Sequence, residues 1–314
     1  MSINSGKLFE EFAPVSADTW KEKTIIDIKG ADFEKRLVWK PIEGFTVEPI
    51  YRLEDLAPLS YLDVLPGQFP YTRGTKKATN EWYIRQDIQV ENVKNANAKA
   101  LDVLQKGVTS LGFKIKDATS WNVNNVEELL QNITMTAIEI NFVISKGKTH
   151  FLQLFVDYIA KNNIDAKQVI GSINADYIGN FMKNGAFCYN SQEICEKNIP
   201  ELLSIAKTLP QFKTCSIHAD YISNAGGSIT QELASALAIG VEYLTAATEQ
   251  GIDAGEFALR MKFNFAVTSN YFMELAKFRA AKTLWAKIVA AYNPTCYCDD
   301  SCDCDDDTNA CCCC

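Results

Sequence analysis

The chain has 314 residues, 47% of them hydrophobic and 22% charged. At roughly 150 residues per domain that allows two domains, or one α/β barrel of about 250 residues, and a large core in either case. No apolar run reaches the about 20 residues of a membrane span, and Met1 to Phe12 carries one lysine and no apolar h-region, so neither a span nor a secretory leader is expected.

Charge and cysteine are unevenly placed. Six aspartates and eight of the 11 cysteines fall in residues 296–314, and taking those six carboxylates from the net −8 leaves −2 for the rest. A body without basic excess is a poor partner for nucleic acid. Cys188, Cys195 and Cys215 are scattered, which predicts free thiols in a reducing cytoplasm.

In chain order, Leu8 to Phe12 is amphipathic and suits a helix packed on a neighbour or a partner. From Trp39 to Tyr83 the chain is irregular, punctuated by Pro41, Gly44, Pro49, Pro66, Gly67, Pro70 and Gly74 and filled with aromatics. So many large apolar groups predict an ordered wrap over a domain or a partner. Beyond residue 90, helical and strand signals alternate. Helices are predicted over 90–106, 126–130, 150–161, 199–209, 229–249 and 270–292. The last carries Phe272, Leu275, Phe278, Leu284 and Ile288 at helical spacing. Strands are predicted over 108–115, 133–140, 167–173, 213–217 and 258–267.

This alternation predicts parallel strands with right-handed crossovers. No glycine-rich phosphate loop follows any strand, so an α/β (β/α)8 barrel is favoured over a doubly wound sheet, with about five of its eight strands visible. Stopping at five would leave two open edges, and a closed, stable monomer is then not expected. The organisation expected is an N-terminal extension and partner wrap over 1–90, a partial barrel over 91–294, and a Cys/Asp-rich tail over 295–314.

Standard catalytic motifs are absent: no Walker loop, GxGxxG, GxSxG or HExxH. Of the two histidines, His150 opens a helix, whereas His218 follows a strand, where barrel enzymes place site residues. Either is more economically a satisfied structural histidine. Arg73 and Arg85, on Pro- and aromatic-rich turns, could grip a phosphate or carboxylate, with structural ion pairs the simpler reading.

Several ordered segments bear a specific resemblance. Phe69-Pro-Tyr-Thr-Arg-Gly74, Tyr83-Ile-Arg-Gln86, Trp39-Lys-Pro-Ile-Glu-Gly44 with Pro49-Ile-Tyr51, Gly171-Ser-Ile-Asn174, and the helix from Tyr271 through Trp285 resemble signatures of the methylmalonyl-CoA mutase family, over about residues 7–293. The resemblance implies a wrap on a partner subunit, a barrel holding acyl-CoA, and a C-terminal cobalamin domain. It also implies a radical rearrangement between succinyl-CoA and methylmalonyl-CoA, started by adenosylcobalamin.

Three departures change that expectation. Asp87 stands where catalytic chains have a tyrosine after Ile-Arg-Gln. Tyr221 stands where they have the histidine that bonds the thioester carbonyl, and Asn184 where they have the arginine for the substrate carboxylate. Arg73, Arg85 and Arg260, with Ser172 and Asn174, are retained or similar and would be vestigial CoA contacts. The loop between Gly74 and Trp82 is also shortened. The pattern resembles the small, non-catalytic chain of heterodimeric members, with no metal site of its own and with adenosylcobalamin held mainly by the large subunit. An active mutase with an atypical site and a non-enzymatic CoA-ester binding module are the alternatives. The tail from Cys296 departs from the family; Cys-x-Cys pairs could bind a soft metal, but a shifted reading frame or misassembled gene accounts for it more simply.

Overall fold

The computed structural model describes residues 12–187 and 192–295. The predicted tail, Cys188 and most of the amphipathic segment from Leu8 lie outside the described residues. The chain divides into two compact units, one ending at Leu62 and the other beginning at Asp63.

In the first unit, Ser16 accepts a hydrogen bond from the Thr19 amide and starts helix α1 (Ala17–Asp27), and Asp32 caps the short α2 (Phe33–Leu37). A single antiparallel bridge joins Trp39 and Val47, and a 3-10 turn spans Leu53–Leu56. Arg52 ties these pieces by donating to the carbonyls of Val15 and Ser16, at 2.7 and 3.3 Å. None of its described residues is buried, and Ile42 and Leu53 are each 83% exposed.

The second unit is α/β. Its strands are β1 (Arg85–Gln89), β2 (Ser110–Asp117), β3 (Glu139–Lys146), β4 (Gly171–Ile173) and β5 (Phe212–Lys213), parallel and in that order in one sheet. A second parallel pair follows, β6 (Cys215–His218) with β7 (Met261–Asn264). Only Thr214 separates β5 from β6. Its amide donates to the Arg260 carbonyl, and the Ser216 amide donates to that of Ala175, so the two sheets adjoin. The helices between are α3 (Val93–Gln105), α4 (Val123–Leu130), α5 (Lys148–Lys161), α6 (Tyr177–Asn184) and α7 (Gln192–Ile205), then α8 (Asp220–Asn224), α9 (Ile229–Glu249), α10 (Ala254–Ala258) and α11 (Tyr271–Ala291). No helix among the described residues is long and apolar enough to cross a membrane.

The α/β alternation and the parallel strands agree with the sequence reading, and the described strands form a five-stranded and a two-stranded parallel sheet. Details of the strands differ. Arg85–Gln89, read as part of the wrap, is the first strand. The second predicted strand shifts from 133–140 to Glu139–Lys146, because 131–138 is spent on turns after α4 that bury Ile133 and Met135. The third shortens to Gly171–Ile173 after a 3-10 turn at Ala166–Gln168, and the fourth is split at Thr214.

Strand register sorts the side chains into two faces. Leu111, Phe113 and Ile115 of β2 pack with Ile140, Phe142 and Ile144 of β3 beneath helices α3 to α5. A second apolar cluster joins Cys215 and Ile217 of β6 with Met261 of β7 and Tyr243 and Leu244 of α9. The opposite face is mostly polar, with Val143 of β3 as an apolar exception. Arg85, Ser110 and Glu139 are in register, and so are Asp87, Gly112, Asn141 and Ser172. In α11 the buried face carries Glu274, Lys277, Ala281, Ala286 and Val289, whereas Phe272 and Leu275 of the apolar stripe are exposed.

Candidate functional site

Above the polar face lies a cavity of about 750 Å³ at the C-terminal ends of the strands. It collects five of the residues singled out from sequence: Arg85, Asp87, Ser172, Asn174 and Tyr221, together with His218. They come from three strands or the segments after them, Arg85 and Asp87 from β1, Ser172 and Asn174 from β4, and His218 and Tyr221 from β6 and α8, since parallel strands deliver corresponding positions to one side.

At one wall, Asp87 is locked between two cations. Its Oδ1 accepts from Arg85 Nε at 2.8 Å and its Oδ2 faces Lys114 Nζ at 3.0 Å. Burial pushes the Asp87 carboxyl up, but Lys114 and Arg85 outweigh it and hold the group below its ordinary 3.8. Gly112 makes the pair possible: a Cβ there would lie 2.0 Å from Asp87 Oδ1.

The floor is a network. Lys262 Nζ donates to Asn141 Oδ1 at 2.9 Å and stands 3.6 Å from Glu139 Oε1. Asn141 Nδ2 donates to Glu139 Oε2 at 2.9 Å and to Ser110 Oγ at 3.0 Å, while the hydroxyls of Ser110 and Ser172 donate to Glu139 and Asn141. Burial pushes the Glu139 carboxyl up, yet Lys262 and the bonds from Ser110 and Asn141 bring it below its ordinary 4.5; burial pushes the Lys262 ammonium down. Ser110, Asn141 and Ser172 are buried, so this face is filled by groups that satisfy one another.

The opposite wall is aromatic. The His218 ring lies on the Tyr221 ring, with centroids 5.2 Å apart and planes at 11°, and its Nδ1 is 3.2 Å from Asp220 Oδ1. Lys183 Nζ sits 5.5 Å from the Tyr221 ring centre. Asp176 fixes this wall from behind: its carboxylate caps α6 through the Gly179 amide, accepts from Tyr243 Oη at 2.6 Å, and accepts from the His218 amide at 2.9 Å.

The remaining candidates lie elsewhere. Asn184 is exposed and bonds Asn180, and its neighbour Lys183 lines the cavity instead. Arg260 is buried and donates to the carbonyls of Leu209 and Phe212. Arg73 lines a separate hollow with Arg279 and Lys282. His150 Nε2 is 2.8 Å from the Trp121 carbonyl oxygen. Sequence reasoning missed Lys114, Glu139, Asn141, Lys183 and Lys262. Their signal was the alternation in Ser110-Leu-Gly-Phe-Lys-Ile115, since parallel strands covered on both faces read as nearly continuous apolar runs.

No cluster of three metal-ligating side chains occurs among the described residues. Neither histidine would hold a corrin group: His150 Nε2 is 2.8 Å from the Trp121 carbonyl oxygen, and the His218 ring lies against Tyr221 in the cavity wall.

The family model described as methylmalonyl-CoA mutase matches residues 40–125 and 121–298. The methylmalonyl-CoA mutase small subunit of Porphyromonas gingivalis is 43% identical over 295 residues, covering 93% of this chain and 47% of that protein. The methylmalonyl-CoA mutase of Cereibacter sphaeroides is 30% identical over 303 residues, covering 88% of this chain and 42% of its own. The large subunit of the Porphyromonas gingivalis enzyme is 27% identical over 305 residues, covering 85% and 42%. The chain belongs to the methylmalonyl-CoA mutase family. It spans about half the length of the curated relatives it matches.

Proposed function

We propose that this chain is the small, non-catalytic partner of a catalytic large subunit in a cytoplasmic, adenosylcobalamin-dependent enzyme that interconverts succinyl-CoA and methylmalonyl-CoA. Its strands are then part of the family's (β/α)8 barrel, and its role is to bind and support the other chain. The observation that carries this reading is the filled polar face. Glu139, Asn141, Ser172 and Lys262 satisfy one another where a CoA arm would run through a catalytic barrel, and Asp87, held by Arg85 and Lys114, replaces the expected tyrosine. A ligand entering the cavity above would have to draw Lys262 away from Glu139 and Asn141 to gain its charge, which is costly for a partly buried pair.

The cofactor, when bound to the assembly, supplies the radical; no step runs through this chain. Arg85 and Lys114 are both engaged by the Asp87 carboxylate, and the Tyr221 ring is stacked on His218. Support for the partner comes from the first unit, whose described residues are all at least partly exposed and include large apolar side chains at Phe12, Ile26, Ile42, Tyr51 and Leu53. Apolar surface of this kind belongs to association interfaces. Co-expression with the large subunit of a heterodimeric mutase, followed by size exclusion with light scattering, tests this. A one-to-one complex is expected; two chains eluting separately would contradict it.

A further inference from the structure

Lys213 is a cation that the polar floor does not neutralise. Its neighbour Phe212 turns into the apolar core, so Lys213 leaves β5 on the other face, in register with Ser172. It is half-buried, and no carboxylate lies within ion-pair distance of it among the described residues. Its ammonium donates to the Leu259 carbonyl.

The two chain segments that meet here are tied in both directions. Arg260 Nη1 donates to the carbonyls of Leu209 and Phe212, and the Thr214 amide donates to the Arg260 carbonyl at 2.9 Å. Arg260 also has no carboxylate within ion-pair distance among the described residues. Of the three cations brought together, only Lys262 has one, Glu139 at 3.6 Å. Burial and the charges of Arg260 and Lys262 hold the Lys213 ammonium below its ordinary 10.5.

A lysine desolvated beside other cations is a nucleophile, because part of it is present as the neutral amine. What the cluster lacks is negative charge. An electrophile that turned this amine into an anion would remove one of three like charges and give the other two a counter-ion. Carbon dioxide does so, and it is small enough to reach a half-buried nitrogen. We infer that Lys213 is a carbamylation site, its Nζ taking up carbon dioxide as a carbamate. The ammonium gives a proton to water, and the amine lone pair forms the N–C bond. The electrons of one C–O π bond pass to oxygen, and a second proton leaves to water. The side chain changes from cation to anion, and its remaining N–H still serves the Leu259 carbonyl. The site is independent of the proposed subunit role.

Carbon NMR of the full chain under isotope-labelled carbon dioxide, in mildly alkaline buffer, tests it. A protein-bound carbamate resonance is expected that is lost in Lys213→Met and in Lys213→Arg, whose guanidinium stays protonated. It should weaken severalfold in Lys262→Gln, which removes one of the stabilising cations. The terminal amine gives a resonance of its own that every variant keeps, and this serves as the internal standard. No resonance beyond that of the terminal amine, or one that persists in both Lys213 variants, would overturn the proposal. A Lys213 signal undiminished in Lys262→Gln would overturn it as well. If one Lys213 variant does not fold, the other decides.

Discussion

Arg85 and Asp87 stand two residues apart on one face of β1, with guanidinium and carboxylate 2.8 Å from each other and Gly112 directly beside them. The pairing turns a position expected to carry a catalytic tyrosine into a closed charge pair, with Lys114 on the second oxygen. The missing Cβ at Gly112 is its condition: a side chain there would collide with Asp87 and with the Arg85 guanidinium.

This makes Gly112 more sensitive than the charges it accommodates. Gly112→Val should cost about 2–3 kcal/mol in urea unfolding, through overpacking of a fixed strand pair. Asp87→Ala should cost less than about 1 kcal/mol, because the pair is partly solvated. The double variant should lose less than the sum; strict additivity would show that Gly112 does not serve the pair.

Acid should loosen the network before it affects the apolar core. Glu139 titrates lower in the folded protein than its ordinary 4.5, as do Asp87, Asp253 and Glu274 relative to their own values. A carboxyl depressed by folding stabilises above its unfolded value, and that stability is lost as pH falls through the folded value. Unfolding free energy should therefore drop as pH falls below about 4.5, and Glu139→Gln should flatten part of that slope. A variant with an unchanged slope would remove Glu139 from the account.

Lys277 is the buried keystone of the β7–α11 connection. Its ammonium meets Glu232 and Glu274, at 2.6 and 2.5 Å, and donates to the Ala266 carbonyl, while those carboxylates accept from the amides of Ala266 and Thr268. Lys277→Met would strand two carboxylates at a cost of about 3–5 kcal/mol. Amide exchange at Ala266 and Thr268 should accelerate in the variant. Ala266 also borders the cavity, so protection left intact would show the loop is held by packing alone.

The α/β alternation was legible because its helices are long and strongly periodic: 229–249 was read within a residue, and α11 nearly so. The strands were less so. Arg85-Gln-Asp-Ile-Gln has one apolar residue in five and looks like loop, since its inner face carries ions instead of branched aliphatics. In α11 the apolar stripe misleads, because its buried face is built on Glu274 and Lys277. Five site candidates did converge on one cavity, but Arg73, Asn184 and Arg260 did not. Nothing in sequence spacing distinguishes Asn184 from Lys183, which differ only in which side of α6 they leave.

Cys215 should be chemically silent. It lies in the apolar cluster with Ile217 and Tyr243, where burial pushes the thiol well above its ordinary 9.0 and the charge of Asp176 adds to the effect. Peptide mapping after iodoacetamide treatment should find it unlabelled in the native chain and labelled in urea. Native labelling would mean that the wall behind the cavity opens readily.

The central claim is that this chain supports catalysis without performing it. The direct measurement is methylmalonyl-CoA formation from succinyl-CoA and adenosylcobalamin, with this chain alone, with a large subunit alone, and with the two together. The account predicts no turnover by this chain alone and turnover by the pair that survives Asp87→Ala and Tyr221→Phe in this chain. Turnover by this chain alone, abolished by those substitutions, would contradict it.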